Sequence, residues 1–192
     1  VIDKSKMIKI LYSLILITFS FSITTEDIYD SSWALIIGID KYESVQKLNY
    51  AVKDAQTMQD ILLNTFAFPS ENITLLINEK ANKHSILQSF SNITKNANKN
   101  DRVVIFFAGH GETYDLPEGG EMGYLLPVDG DRKDLYLSSI GMDELKKISL
   151  MSKAKHVLYL VDACYGGIAA IGSRGLEPET TPNYIEKITK DK

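Results

Sequence analysis

Residues 103–111 read Val-Val-Ile-Phe-Phe-Ala-Gly-His-Gly, an unbroken apolar run that ends on a histidine held between two glycines. A run this short, entered from the polar turn Asn98 to Asp101, reads as a β-strand buried on both faces. A sheet covered on both sides leaves no solvent face and therefore no polar alternation. Trp33-Ala-Leu-Ile-Ile-Gly-Ile39, ending at Asp40, is a second such run; Ile73-Thr-Leu-Leu-Ile77 and Val157-Leu-Tyr-Leu-Val161 are two more. Between them the apolar spacing changes to that of helices. Leu48, Ala51, Val52, Ala55, Met58, Leu62 and Phe66 share one face, stopped at Phe68-Pro69. Ile86, Leu87, Phe90 and Ile93 share another. Met142 to Leu150 is a third, with Asp143 and Glu144 in the first turn where the helix dipole favours them. A loop rich in Gly, Pro and acids is expected from Glu112 to Asp134, with the apolar piece Tyr124-Leu-Leu126 inside it. Strands alternating with helices predict an α/β fold with right-handed crossovers and a mostly parallel sheet covered on both faces.

In open α/β sheets ligands bind just outside the carboxyl ends of the strands. The 103–108 strand runs into Ala108-Gly109-His110-Gly111, and the 157–161 strand into Asp162-Ala163-Cys164-Tyr165-Gly166-Gly167. The one cysteine and one of three histidines therefore leave strands at the same end of the sheet. If those strands are neighbours, their backbones lie about 4.8 Å apart. A free thiol has a pKa of about 8.5, and an adjacent imidazolium lowers it, so this pair suits nucleophilic catalysis. The flanking glycines let a substrate backbone approach and let amide N–H groups face an oxyanion. The plainer alternatives are a small buried Cys164 and a chance pairing of strand ends. His84, on a helix face, and His156, opening a strand, carry no expected role.

Phe-Phe-Ala-Gly-His-Gly and Leu-Val-Asp-Ala-Cys-Tyr-Gly-Gly resemble the His and Cys motifs of the caspase/metacaspase superfamily. Ala-Leu-Ile-Ile-Gly-Ile-Asp-Lys-Tyr at 34–42, Leu48-Asn-Tyr-Ala-Val-Lys-Asp54-Ala55 and Gly123-Tyr-Leu-Leu-Pro-Val-Asp129 resemble its other segments, over roughly residues 33–170. The resemblance implies a caspase-like three-layer sandwich and a cysteine-type endopeptidase. Cys164 would be the nucleophile, His110 the general base and acid, and the amides of Gly111 and Cys164 the oxyanion hole. Asp54 and Asp162 would form an acidic pocket for Arg or Lys before the cleaved bond, Asp162 as a buried or half-buried carboxylate beside the nucleophile. A solvated helix residue for Asp54 and a strand-end amide acceptor for Asp162 remain the alternatives. Arg174, in a Gly-Ser-Arg-Gly stretch, is a candidate self-cleavage site. Tyr165 stands where metacaspases usually carry His. No cofactor is implied; the calcium-binding acidic cluster of some members is matched only loosely, around Asp143 and Glu144. The family's small C-terminal subunit has no counterpart after Cys164, which implies a fragment or truncated product and leaves a non-hydrolytic scaffold as the rival function.

The remaining features bound these readings. The chain has 192 residues, 44% hydrophobic and 24% charged, with net charge -4 and no long basic run, so nucleic acid is not an expected partner. A single cysteine excludes intrachain disulfides and paired-cysteine metal or redox sites. Lys4, Lys6 and Lys9 precede an uncharged apolar stretch from Ile10 to Thr25. This reads as a signal peptide, with a short membrane anchor or a partly buried segment as alternatives. The expected organisation is 1–25 leader or anchor, 32–172 catalytic domain and 173–192 linker or tail. A secretory-pathway location follows, or a cytoplasmic one if the leader reading fails.

Overall fold

The computed structural model describes residues 28–165. The leader reading at 1–25, Arg174 and the 173–192 tail lie outside the described residues. From residue 31 on, the described residues belong to one compact unit. It begins with β1 (Ser32–Gly38), followed by α1 (Ala51–Asn64), β2 (Ile73–Ile77), α2 (Lys83–Asn96), β3 (Arg102–Asp115) and β4 (Glu121–Leu125). A one-turn helix α3 (Leu135–Ser138), the two-residue β5 (Ile140–Gly141), α4 (Met142–Met151) and β6 (His156–Tyr165) follow among the described residues.

The four apolar runs form the parallel part of the sheet: β1 pairs with β2 and β3, and β3 with β6, all in parallel. β4 and β5 extend it as antiparallel strands. Residue parity sorts the core into two layers. Ala34, Ile36, Val104, Phe106 and Ala108 pack with Ala51, Ala55 and Leu62 of α1. Leu35, Ile37, Val103, Ile105 and Phe107 pack with Ile86, Phe90 and Ile93 of α2 and with Met142 and Leu145 of α4. The sheet is thus covered on both faces, which is why its strands read as continuous apolar runs. Gly38 is required by this packing, since a Cβ there would stand 2.5 Å from both the Ala51 carbonyl oxygen and the Ala55 side chain. Among the described residues no helix is long and apolar enough to cross a membrane.

Three sequence expectations need correction. First, α1 starts at Ala51 instead of Leu48, because the Asp40 carboxylate takes the Ala51 N–H at 2.9 Å and fixes the first turn there. It ends at Asn64, and Ala67 beyond it adopts a left-handed φ of 53°, leaving Phe66 outside the helix. Second, the expected loop at 112–134 contains a hairpin, with strand at 112–115 and 121–125 and irregular chain in the rest. β3 continues to Asp115 and returns as β4, with Gly111 facing Leu125 and Asp115 facing Glu121. Gly119 and Gly120, both at φ 93°, allow the reversal. Third, His110 lies inside β3, where that strand passes from pairing with β1 to pairing with β4, and Cys164 lies one residue before the end of β6, instead of in loops.

At the opposite end of the strands, buried Asp101 accepts the Trp33 indole N–H at 3.0 Å and the Asn98 amide at 2.8 Å. Its own carbonyl takes the Lys155 N–H at 2.9 Å, so one residue ties the entrances of β1, β3 and β6 together.

Candidate active site

The site lies where two strands exchange places along one edge of β3. β1 makes its last contact there through the Ile39 N–H on the Ala108 carbonyl, at 3.1 Å. Two residues on, the His110 carbonyl accepts instead from Leu126, which follows β4, at 3.0 Å. Main-chain groups two apart in a strand point the same way, so β1 and the β4 segment serve the same edge in succession. β6 occupies the other edge without a break, and its register sets Ala108 beside Asp162 and His110 beside Cys164. Cys164 is described by this main-chain register alone.

The segment 39–50 fills the split. Asn78, at φ 46°, accepts the N–H groups of Asp40 and Lys41 at 3.0 Å each. Asp40 holds the start of α1, its carbonyl takes the Leu48 N–H at 2.9 Å, and the Glu43 N–H donates to Val128 at 3.1 Å. So pinned, the segment presents the Gln46 carbonyl oxygen 2.7 Å from His110 Nε2. A carbonyl can only accept, so Nε2 carries the hydrogen and Nδ1 is the ring nitrogen with a lone pair in the neutral imidazole. His110 is 9% exposed and its ring lies 4.8 Å from that of Tyr42, tilted by 52°.

Beside His110 opens a cleft of about 360 Å³ whose lining includes Gln46, Lys47, Gly109, Asp54 and Asp162. Asp54 comes from the first turn of α1, and Asp162 from β6 two residues before Cys164. The two candidate pocket carboxylates thus share one cleft, together with a lysine. Both are exposed, which corrects the expected buried or half-buried Asp162: β6 has no outer neighbour among the described residues to cover it. Gly111 is in register with Leu125 on one side and with Tyr165, the last residue of β6, on the other. Asp143 and Glu144 are engaged locally: Asp143 pairs with Lys147 at 3.0 Å, and Glu144 accepts the Gly141 N–H at 3.1 Å. His84 and His156 are exposed, and His156 opens β6 at the far end of the sheet.

Residues 31–190 match the family defined by the Caspase domain, a peptidase family. The chain belongs to this caspase-domain family of cysteine peptidases. It is 29% identical over 148 residues to Metacaspase-1 of Eremothecium gossypii, covering 71% of this chain and 32% of that protein. Metacaspase-1A of Aspergillus oryzae is 28% identical, with 71% and 34% covered, and Metacaspase-1 of Plasmodium falciparum 28%, with 70% and 24%. The chain therefore spans about a third or less of the length of these curated relatives. A solved structure from Geobacter sulfurreducens shares the fold at TM-score 0.62 and 20% identity, covering 81% of this chain and 59% of that one.

Within this caspase domain, two contacts are out of reach of residue-type reasoning. The Gln46 contact is made by a main-chain oxygen and so leaves no side-chain signature. Tyr42 stands out in the sequence only as the end of the β1 motif, while the structure puts its hydroxyl 2.7 Å from the His110 amide nitrogen.

Proposed function

We propose that this chain is the catalytic core of a thiol endopeptidase that cleaves after Arg or Lys. The observation that carries the reading is the register of His110 against Cys164 on adjacent parallel strands. In the proposed reaction His110 Nδ1 takes the thiol proton, and the sulfur attacks the carbonyl carbon of the scissile peptide. The oxyanion that forms would be received by the N–H groups of Gly111 and Cys164. His110 then returns the proton to the leaving amine as the C–N bond breaks, leaving a thioester that water hydrolyses through the same base. Gln46 supports this cycle by accepting from Nε2, which orients the ring and keeps the Nδ1 lone pair for the thiol proton.

The Arg/Lys preference rests on Asp54 and Asp162 in the cleft, because carboxylates favour a cationic side chain by charge complementarity. Among the described residues β6 pairs only with β3 and leaves Leu158 46% exposed, so a further strand has an edge to join there. Such a strand fits the small-subunit segment that the family resemblance implies. Incubation with an Arg-terminated fluorogenic peptide tests the proposal. Hydrolysis abolished in both Cys164→Ala and His110→Ala is the expected result. Equal turnover by either variant refutes the dyad, and no turnover by the folded wild type favours a non-hydrolytic scaffold.

A further inference from the structure

The split in the sheet creates a specific problem. After Ala108, β1 no longer offers acceptors to this edge of β3, and the β4 segment enters as a donor to the His110 carbonyl. The His110 N–H is left facing the gap. A buried amide without a partner is destabilising by about 1–3 kcal/mol. Here the Tyr42 hydroxyl accepts it at 2.7 Å. Tyr42 is 7% exposed and packs in the core layer on the α2 and α4 side of the sheet. From that side its hydroxyl reaches up beneath Gly109. A Cβ at 109 would collide with this hydroxyl and stand 3.0 Å from the Phe107 ring. The glycine before the histidine is therefore explained by the tyrosine below it. A main-chain N–H can only donate, so the hydroxyl is the acceptor here; burial pushes the phenol's ionisation well above its ordinary range.

We propose that Tyr42 is the positioning residue of the dyad: its hydroxyl fixes the His110 main chain at the split, and its ring sets the imidazole plane so that Nε2 meets Gln46 and Nδ1 is kept for Cys164. This rests on the dyad reading. Two contacts on one residue, one to the His110 main chain and one ring to ring at 4.8 Å, leave the histidine little rotational freedom. The charged groups that face this unit are Asp40, which acts on the Tyr42 phenol, and Asp54, Asp162 and Lys47 around the cleft.

Tyr159 supplies the control. It is a half-buried tyrosine whose hydroxyl is engaged, donating to the Leu145 carbonyl at 2.9 Å and accepting from Ser149 at 3.1 Å, both on α4 and away from His110. Tyr42→Phe and Tyr159→Phe are compared by thermal midpoint, by the imidazole nitrogen–proton NMR spectrum of His110, and by the rate of Cys164 alkylation with iodoacetamide against pH. Both variants are expected to lower the midpoint. Only Tyr42→Phe should lose the Nε2–H preference and slow alkylation at about pH 6 by about tenfold, as expected for a displaced base. In the wild type the His110 amide should also be protected from hydrogen exchange, a result that needs no variant. An unprotected amide overturns the proposal, as does a Tyr42→Phe protein with unchanged tautomer and alkylation profile. If wild-type Cys164 reacts as an ordinary thiol, the dyad itself fails, and the tautomer comparison still decides the role of Tyr42.

Discussion

His110 Nε2 lies 2.7 Å from the main-chain oxygen of Gln46, and that oxygen is held in place by hydrogen bonds made as far along the chain as Asn78. The histidine's orientation is therefore a property of the 39–50 segment as much as of β3. Asn78→Gly keeps the left-handed backbone but removes the acceptor for two N–H groups. It is expected to cost about 1–2 kcal/mol in urea denaturation. It should also reduce hydrolysis of an Arg peptide by more than the stability loss explains. Full activity in Asn78→Gly would show that the Gln46 contact does not depend on this anchor.

The far end of the sheet offers a separation of stability from chemistry. Asp101→Ala strands the Trp33 indole and the Asn98 amide and is expected to cost about 2–3 kcal/mol. Trp33→Phe should cost less, and the double variant should show coupling of about 1 kcal/mol in a denaturation cycle. Cys164 reactivity in the folded fraction should be unaffected, because this cluster caps the opposite end of β1, β3 and β6.

Charge in the cleft is expected to set substrate choice. Asp162→Asn and Asp54→Asn keep shape and remove one negative charge each. Because both carboxylates are exposed, each contributes about 1 kcal/mol before substrate covers it. A fall of about fivefold to tenfold in kcat/KM for Arg peptides is expected for each, with alkylation of Cys164 retained. An unchanged Arg preference in the double variant removes the acidic-pocket assignment and leaves the dyad untouched.

The parallel strands are legible in the sequence because burial on both faces forces unbroken apolar runs, as at Ala34 to Ile37 and again at Val103 to Phe107. The chemistry-bearing pair is legible because a His between two glycines and a Cys two residues before a Gly-Gly pair, each following an apolar strand, form an uncommon pattern. The β3–β4 hairpin escapes such a reading: its strand residues Glu112 to Asp115 are polar and partly exposed, and the turn's Gly-Pro-acid composition masks them. Helix α3 and β5 are too short for any periodicity to show. The exposure of Asp162 escapes it too, because it depends on which strand covers β6, a long-range fact that local sequence does not carry.

Tyrosine burial makes a pH prediction. Burial raises the Tyr42 and Tyr159 ionisations above the ordinary value of about 10. Above that pH the unfolded chain releases protons that the folded protein still holds, so stability falls as pH rises. Below about pH 10 the contribution is fully present. Denaturation midpoints from about pH 8 to about pH 11 should fall more steeply for the wild type than for Tyr42→Phe or Tyr159→Phe. Parallel slopes would contradict the burial of these phenols.

The most direct test of the dyad uses the fact that Cys164 is the chain's single cysteine, so alkylation reports on it alone. The rate of reaction with iodoacetamide is measured from about pH 5 to about pH 10 for the wild type and His110→Ala, against an ordinary thiol pKa of about 8.5. The account predicts a wild-type rate that stays high well below about pH 8, and a His110→Ala rate that falls away as an ordinary thiol's does. Superimposable profiles for the two proteins would contradict it.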